Sequence, residues 1–192
     1  MAGLAGEAGA RERCLVSRRV VYVIVCGAGP AGNVGQLVTH AREAGWDAYL
    51  VPTDTARRHF LDVPALEELT GHPLRGRFRT TGEPGRLPGA DAVIVAPATY
   101  NTINKWAAGI ADTYPLTLLA ELTGAGVPII VLPYVNSAFA ANRVFTRSLD
   151  ELRAGGVTVL YGPGAFEPHP PRGGTIDTFP WDLAVQALDV KV

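Results

Sequence analysis

The sequence predicts an α/β fold: a single-domain, three-layer sandwich built around a parallel sheet. Three observations carry this. Apolar, β-branched runs alternate along the chain with stretches of helical spacing, the pattern of right-handed βαβ crossovers. Those runs are apolar without interruption, as strands covered on both faces are. The 192 residues are 47% hydrophobic and 18% charged, which suits one core of ordinary size, and no shift in composition or internal repeat marks a second.

"VVYVIVC", residues 20–26, reads as the first strand. "GAGPAGNVGQLVTHAREAG" opens on glycines and runs through Leu37, Val38, Ala41 and Ala44 at helical spacing until Gly45. "DAYLVP" is the second strand. "DTARRHF" and "PALEELTG" read as short helices, the latter with Pro64 suited to a first turn and Gly71 to a stop. "ADAVIVA" is the third strand, followed by helices over 100–110 and 115–123. "VPIIVLP" is the fourth, and "AANRVFTRSLDELRAGG" a helix with Val144, Leu149 and Leu152 toward the core. "VTVLYG" is the fifth. Residues 162–174, dense in Pro and Gly, read as a surface loop, and "TFPWDLAVQALDV" as a closing helix.

The formal net charge of −1 carries no electrostatic footprint of a nucleic-acid binder. No stretch approaches the ~20 apolar residues of a membrane span. Cys14 and Cys26 are too few for a disulfide scaffold and fit no metal spacing; Cys26 ends an apolar run and reads as a buried, inert thiol. Residues 1–19 lack the continuous apolar core of a signal peptide. They read as a flexible extension, and the protein as cytoplasmic.

In parallel folds ligands bind beyond the carboxyl ends of the strands, which directs attention to 27–33, 53–56, 97–102 and 133–139. "GAGPAG" places Gly27, Gly29 and Gly32 in a G-x-G-x-x-G pattern after a strand. Glycines let backbone N–H groups approach a phosphate, and a helix start adds partial positive charge. Asp54 lies near the position of a ribose-binding acid, so NAD or FAD stays open from this motif alone. "APATYNT", residues 96–102, puts a proline, two threonines and an asparagine between a buried strand and a helix. A cap accounts for one of these residues, not for the whole run. Asn136 follows the fourth strand directly.

Together these loops resemble the flavoprotein family of homo-oligomeric, FMN-containing cysteine decarboxylases, which includes phosphopantothenoylcysteine and peptidyl-cysteine decarboxylases. The resemblance covers roughly residues 20–160. "CGAGPAG" is similar to the family's first phosphate turn, with Ala28 where a serine is usual. "TDTARRHF" resembles its threonine-x-serine-alanine segment, and "LTGHP" a segment of the phosphopantothenoylcysteine branch. "APATYNTINKWAAGIAD" resembles its Pro-Ala-Ser-x-Asn-Thr motif and the helix behind it. "LPYVNSAFAANRVF" resembles the substrate-recognition segment, with Val135 and Phe139 in place of methionines.

The resemblance implies a flavodoxin-like or Rossmann-like domain over 20–192 that binds FMN non-covalently. Gly27, Ala28, Gly29, Thr53 and Thr55 would hold the phosphate, and Pro97, Ala98, Thr99, Tyr100, Asn101 and Thr102 the ring. Donors near the ring tune a cofactor that gains negative charge on reduction. The resemblance further implies a thiol substrate, small or peptidyl, with Asn136 at its carboxylate, and a homo-oligomer, a trimer or a dodecamer of trimers, with flavin near the subunit interface. In the family mechanism flavin oxidises the cysteine side chain to a thioaldehyde, which accepts the electrons released as CO₂ leaves. The family histidine is missing: its slot holds Glu83. Glu83, Asn101 and Asn136 are the catalytic candidates, and His40, His59, His72 and His169 read as bystanders. Three alternatives stand beside the decarboxylase: an FMN-binding subunit or regulator without catalysis, a flavin prenyltransferase, and an NAD(P)-dependent oxidoreductase.

Overall fold

Residues 18–190, apart from 81, 83, 84 and 175, are described by a computed structural model. The expected extension lies outside them up to residue 17, and Arg19 already belongs to the sheet. Val21, Val23, Ile24 and Val25 are fully buried, as a run apolar on both faces demands. They form β1 (Arg19–Val25), an inner strand of a parallel sheet with β2 (Trp46–Pro52), β3 (Ala92–Ala98), β4 (Ile129–Pro133) and β5 (Thr158–Val159). The order is β2-β1-β3-β4-β5. That order is flavodoxin-like and resolves the two options left by the sequence; its switch point lies between β1 and β3.

The helices are α1 (Gly35–Glu43), α2 (Asp54–His59), α3 (Val63–Thr70), α4 (Tyr100–Ala107), α5 (Tyr114–Gly124), α6 (Ser137–Ala140), α7 (Arg143–Ala154) and α8 (Trp181–Asp189). α1, α3 and α8 pack as one group, and α4, α5 and α7 as another. α1 buries Leu37, Val38 and Ala41. Asp62 caps α3 at Ala65 N, 3.2 Å away, and Gly71 ends it at φ 75°, the left-handed conformation that favours glycine.

Five elements differ from the sequence reading. α4, expected over 100–110, ends at Ala107. α7 turns Phe145, Ser148, Leu149 and Leu152 inward, leaving Val144 half-buried, because Asn142 caps the helix at Val144 N and sets its phase. β5 shrinks to two residues. Leu160 N still reaches Val131 O, but Tyr161 N turns back to Val159 O and Tyr161 bridges Phe166. α8 starts only after Pro180, which stands at its N-cap. Residues 137–139, read as loop, join Ala140 in the short α6.

Among the described residues, no helix is long and apolar enough to cross a membrane. Tyr22 is buried in β1 and donates its hydroxyl to Pro88 O. Burial, and then the neighbouring Tyr114 and Glu121, push its phenol up to about 12. The fold therefore favours the neutral phenol. An unfolded chain releases that proton from about pH 10, so Tyr22's contribution is intact below pH 10 and is lost as pH rises toward 12. Replacing Tyr22 with Phe should cost about 1 kcal/mol at neutral pH through the lost hydrogen bond. It should also make the alkaline loss of stability shallower than wild type in urea titrations above pH 10; an equally steep loss would assign the effect elsewhere.

Candidate functional site

The main chain joins the C-terminal strand ends to one another. Thr53 N donates to Val25 O at 2.8 Å, Cys26 N to Pro97 O at 3.1 Å, and Tyr134 N to Ala98 O at 2.8 Å. Loops leaving β1, β2, β3 and β4 therefore start side by side. The first turns at Gly27, where an added Cβ would lie 2.6 Å from Thr55 Cγ2; only glycine permits that approach. Gly29–Asn33 then form a 3₁₀ turn, and α1 begins at Gly35. The glycine motif thus does not open the long helix directly. The N–H groups of Gly27 and Ala28 donate to nothing among the described residues.

Thr53, Thr99 and Asn136 are all N-caps. Thr53 Oγ1 accepts from Ala56 N and Thr99 Oγ1 from Thr102 N, each at 3.3 Å; Asn136 Oδ1 accepts from Phe139 N at 3.0 Å. Each thus satisfies an orphan donor where the chain turns from strand to helix. The capping bond uses one polar atom and leaves others. Asn136 Nδ2 makes no hydrogen bond among the described residues, and neither does the exposed Asn101 side chain. Thr102 differs: its buried hydroxyl accepts from Thr99 Oγ1 at 3.1 Å and from Cys26 Sγ at 3.3 Å. Pro97 and Ala98 are buried inside β3 rather than in the loop, with their carbonyls taken by Cys26 and Tyr134.

Two chambers occupy this edge. One, about 340 Å³, is lined by Gly27–Gly29, Thr99–Asn101, Tyr134–Asn136, Phe139 and His169. The other, about 300 Å³, is lined by Gly27, Thr53–Thr55, Thr99, Asn101, Thr102 and Lys105, with Pro115 and Leu116 beyond. They share Gly27, Thr99 and Asn101. Tyr100 stacks on Phe139 at 4.8 Å between centroids, so the first chamber has a flat aromatic side. Lys105 pairs with Asp112. A third chamber, about 510 Å³ and rich in aromatic side chains, shares Tyr134 and His169 with the first. No group of three or more His, Cys, Asp or Glu among the described residues could hold a metal ion.

Residues 9–173 match the family described as Flavoprotein. The chain belongs to that family. It is 30% identical over 155 residues to the coenzyme A biosynthesis bifunctional protein CoaBC of Thermococcus kodakarensis, covering 78% of this chain and 38% of that one. The CoaBC protein of Mycolicibacterium smegmatis is also 30% identical, over 75% of this chain and 35% of its own length. The chain thus spans little more than a third of these relatives. Among solved structures, the FMN-dependent cysteine decarboxylase SpaF superposes with a TM-score of 0.66 at 25% identity, covering 90% of this chain and 98% of that one. TvaF, from thioviridamide biosynthesis, gives 0.62 at 26%, over 73% and 88%.

Of the residues proposed from sequence, the structure gathers Gly27, Ala28, Gly29, Thr53, Thr55, Thr99, Tyr100, Asn101, Thr102 and Asn136 along the two chambers. Pro97 and Ala98 line neither. Glu83 lies outside the described residues. His72 Nε2 donates to Asp47 Oδ1, 2.8 Å away, and its ring stacks on Tyr49; His59 ends α2 in solvent, and His40 is half-exposed beside Glu43. His169 departs from the bystander reading by lining the first chamber. Tyr134 was also missed, although its place directly after β4 is the signal that singled out Asn136.

Burial pushes the Cys26 thiol up, with Thr102 and Thr99 opposing through hydrogen bonds. A protonated, fully enclosed thiol is a poor nucleophile. Iodoacetamide should leave the Cys26 peptide unmodified in the native protein and label it in denaturant, as read by mass spectrometry. Rapid native labelling would contradict the enclosure.

Proposed function

We propose that this chain binds FMN across the two chambers and uses it to decarboxylate a cysteine-type thiol carboxylate oxidatively, either a small molecule or a peptide C-terminus. The observation that carries the reading is the shared wall. Gly27, Thr99 and Asn101 border both chambers, so one ligand with an anionic end and a flat ring can lie across them. The residues fit such a group. The free N–H groups of Gly27 and Ala28 with Thr53 and Thr55 suit a phosphate, while Tyr134, Tyr100 and Phe139 suit a planar ring. FMN binding by SpaF, named as FMN-dependent, and the position of the cleft at the β1/β3 switch point support the same assignment.

When bound, FMN supplies the two-electron acceptor. The chain's own part is placement. Asn101 and the Thr99 loop offer hydrogen bonds beside the ring. Asn136 Nδ2 offers donors to the substrate carboxylate, and Val135 with Phe139 keeps an apolar wall where methionines are usual in the family. Asp54 is tied to Arg58 at 2.8 Å on the surface, which disfavours its use on a nicotinamide ribose. The same reading carries a homo-oligomer, a trimer or a dodecamer of trimers, which comes from the family resemblance, and a cytoplasmic location, which comes from the sequence reading above.

The purified protein should be yellow and release FMN on denaturation, identified by mass. With phosphopantothenoylcysteine or peptides ending in cysteine it should release CO₂. A colourless protein that takes up no FMN at micromolar concentration would overturn the reading; a yellow protein inert to every such thiol would leave an FMN-binding subunit without catalysis.

Asn136→Asp keeps a good helix cap but replaces the amide donors with a carboxylate. A hydrogen bond to a charged group contributes about 1.5–3 kcal/mol, so kcat/KM should fall roughly tenfold to a hundredfold with FMN content unchanged. Full activity in that variant would remove Asn136 from the substrate side.

A further inference from the structure

Loop 162–174 does not hang free of the site. Asn136 and His169 form an isolated parallel bridge, Ser137 N donates to His169 O at 2.8 Å, and Phe166, buried in the same loop, bridges Tyr161. These contacts dock the loop against the segment that carries Asn136. The His169 ring lies 4.8 Å from the Tyr134 ring. Gly174, at φ 113°, passes over it so closely that a Cβ would come within 2.8 Å of His169 Cγ. The imidazole is therefore held on both sides.

Its two nitrogens differ. Nδ1 lies 2.9 Å from Pro170 O. A carbonyl can only accept, so Nδ1 carries the hydrogen in that bond. In the neutral ring this leaves Nε2 with a bare lone pair. Nε2 is buried and has no hydrogen-bond partner. A buried nitrogen without a partner is unfavourable, and such a group in a folded protein calls for an explanation, of which a ligand that supplies the missing partner is one. His169 borders both the 340 Å³ chamber that contains Asn136 and the 510 Å³ aromatic chamber beyond it. It is the histidine that reaches the cleft among the described residues, and it comes from a different loop than the slot of Glu83.

We propose that His169 Nε2 is the proton-transfer group of this site, taking the thiol proton of the bound cysteine-type substrate. The inference rests on the FMN–thiol reading above. In the step, the S–H bond breaks, an Nε2–H bond forms, and the bonding pair stays on sulfur, giving a thiolate and an imidazolium. FMN held by Gly27, Ala28, Thr53, Thr55 and the Thr99–Asn101 loop would supply the two-electron acceptor for the oxidation of this thiolate to the thioaldehyde, and would itself be left reduced. Loss of CO₂ returns a pair to the sulfur as an enethiolate. The imidazolium proton goes back to that sulfur, which regenerates neutral His169. The Nδ1 bond to Pro170 O fixes the tautomer throughout.

The test uses FMN-loaded full-length protein and a peptide ending in cysteine, following CO₂ release and flavin bleaching. In His169→Asn the shorter amide can still donate to Pro170 O, but no base remains at the Nε2 position. General acid–base help is worth about 10²- to 10⁴-fold, so kcat should fall by that order with FMN content unchanged. In His169→Ala, added imidazole should restore part of the lost rate. Turnover of His169→Asn within about twofold of wild type would overturn the assignment and leave the decarboxylase reading standing. Loss of FMN from both variants, with no rescue by imidazole, would make His169 a structural residue and also overturn it. A wild-type, FMN-loaded protein inert to every thiol carboxylate would overturn the decarboxylase reading, and the role of His169 with it.

Discussion

The site depends on a set of main-chain hydrogen bonds one step past the strand ends. Thr53 N to Val25 O, Cys26 N to Pro97 O and Tyr134 N to Ala98 O carry the sheet's alignment into the loops. Without them four loops would leave the sheet independently. With them, the order β2-β1-β3-β4-β5 is converted into a fixed juxtaposition of Gly27, Thr53, Thr99 and Asn136. The crevice opens where successive connections depart in opposite directions from β1 and β3. The buried Cys26–Thr102–Thr99 hydrogen bonds reinforce that point from below, so the floor of the cleft is polar yet internally satisfied.

The same residues serve the fold and the cleft. Thr53, Thr99 and Asn136 each end a strand and cap a helix. A cap consumes a side-chain acceptor, and in Asn136 it leaves the amide donors over. This explains why a strand-to-helix turn in such a sheet is a good place for chemistry. Rigidity comes from the cap, and the remaining polar atoms belong to residues that line the cleft, held there at little further entropic cost. It also separates Thr102 from its neighbours, because its hydroxyl is spent on Cys26 and Thr99 beneath the surface.

Family membership and geometry bear on different parts of the molecule. The family model covers residues 9–173, so it includes every element that lines the two smaller chambers. The aromatic chamber extends past it to Thr178, Phe179 and Pro180. Phe179 meets Tyr134 edge-on and Trp181 likewise, which joins the start of α8 to the wall behind His169.

The strands, most helices and three of the strand-end loops were legible because their signals are local. A continuous apolar run, a capping residue and a glycine at a forced close approach each act within a few residues. Where the reading slipped, a neighbouring contact decided. Asn142 set the phase of α7, a turn at Tyr161 cut β5 short, and Pro97 stayed in β3 instead of leaving it. The sequence by itself determined the layered α/β class and the polar loops at one edge. The choice of strand order, the joining of two chambers at Asn101 and the arrival of His169 beside Asn136 belong to tertiary structure. Those depend on contacts between segments more than 30 residues apart, and a chain's local pattern carries no information about which distant segment will dock against it.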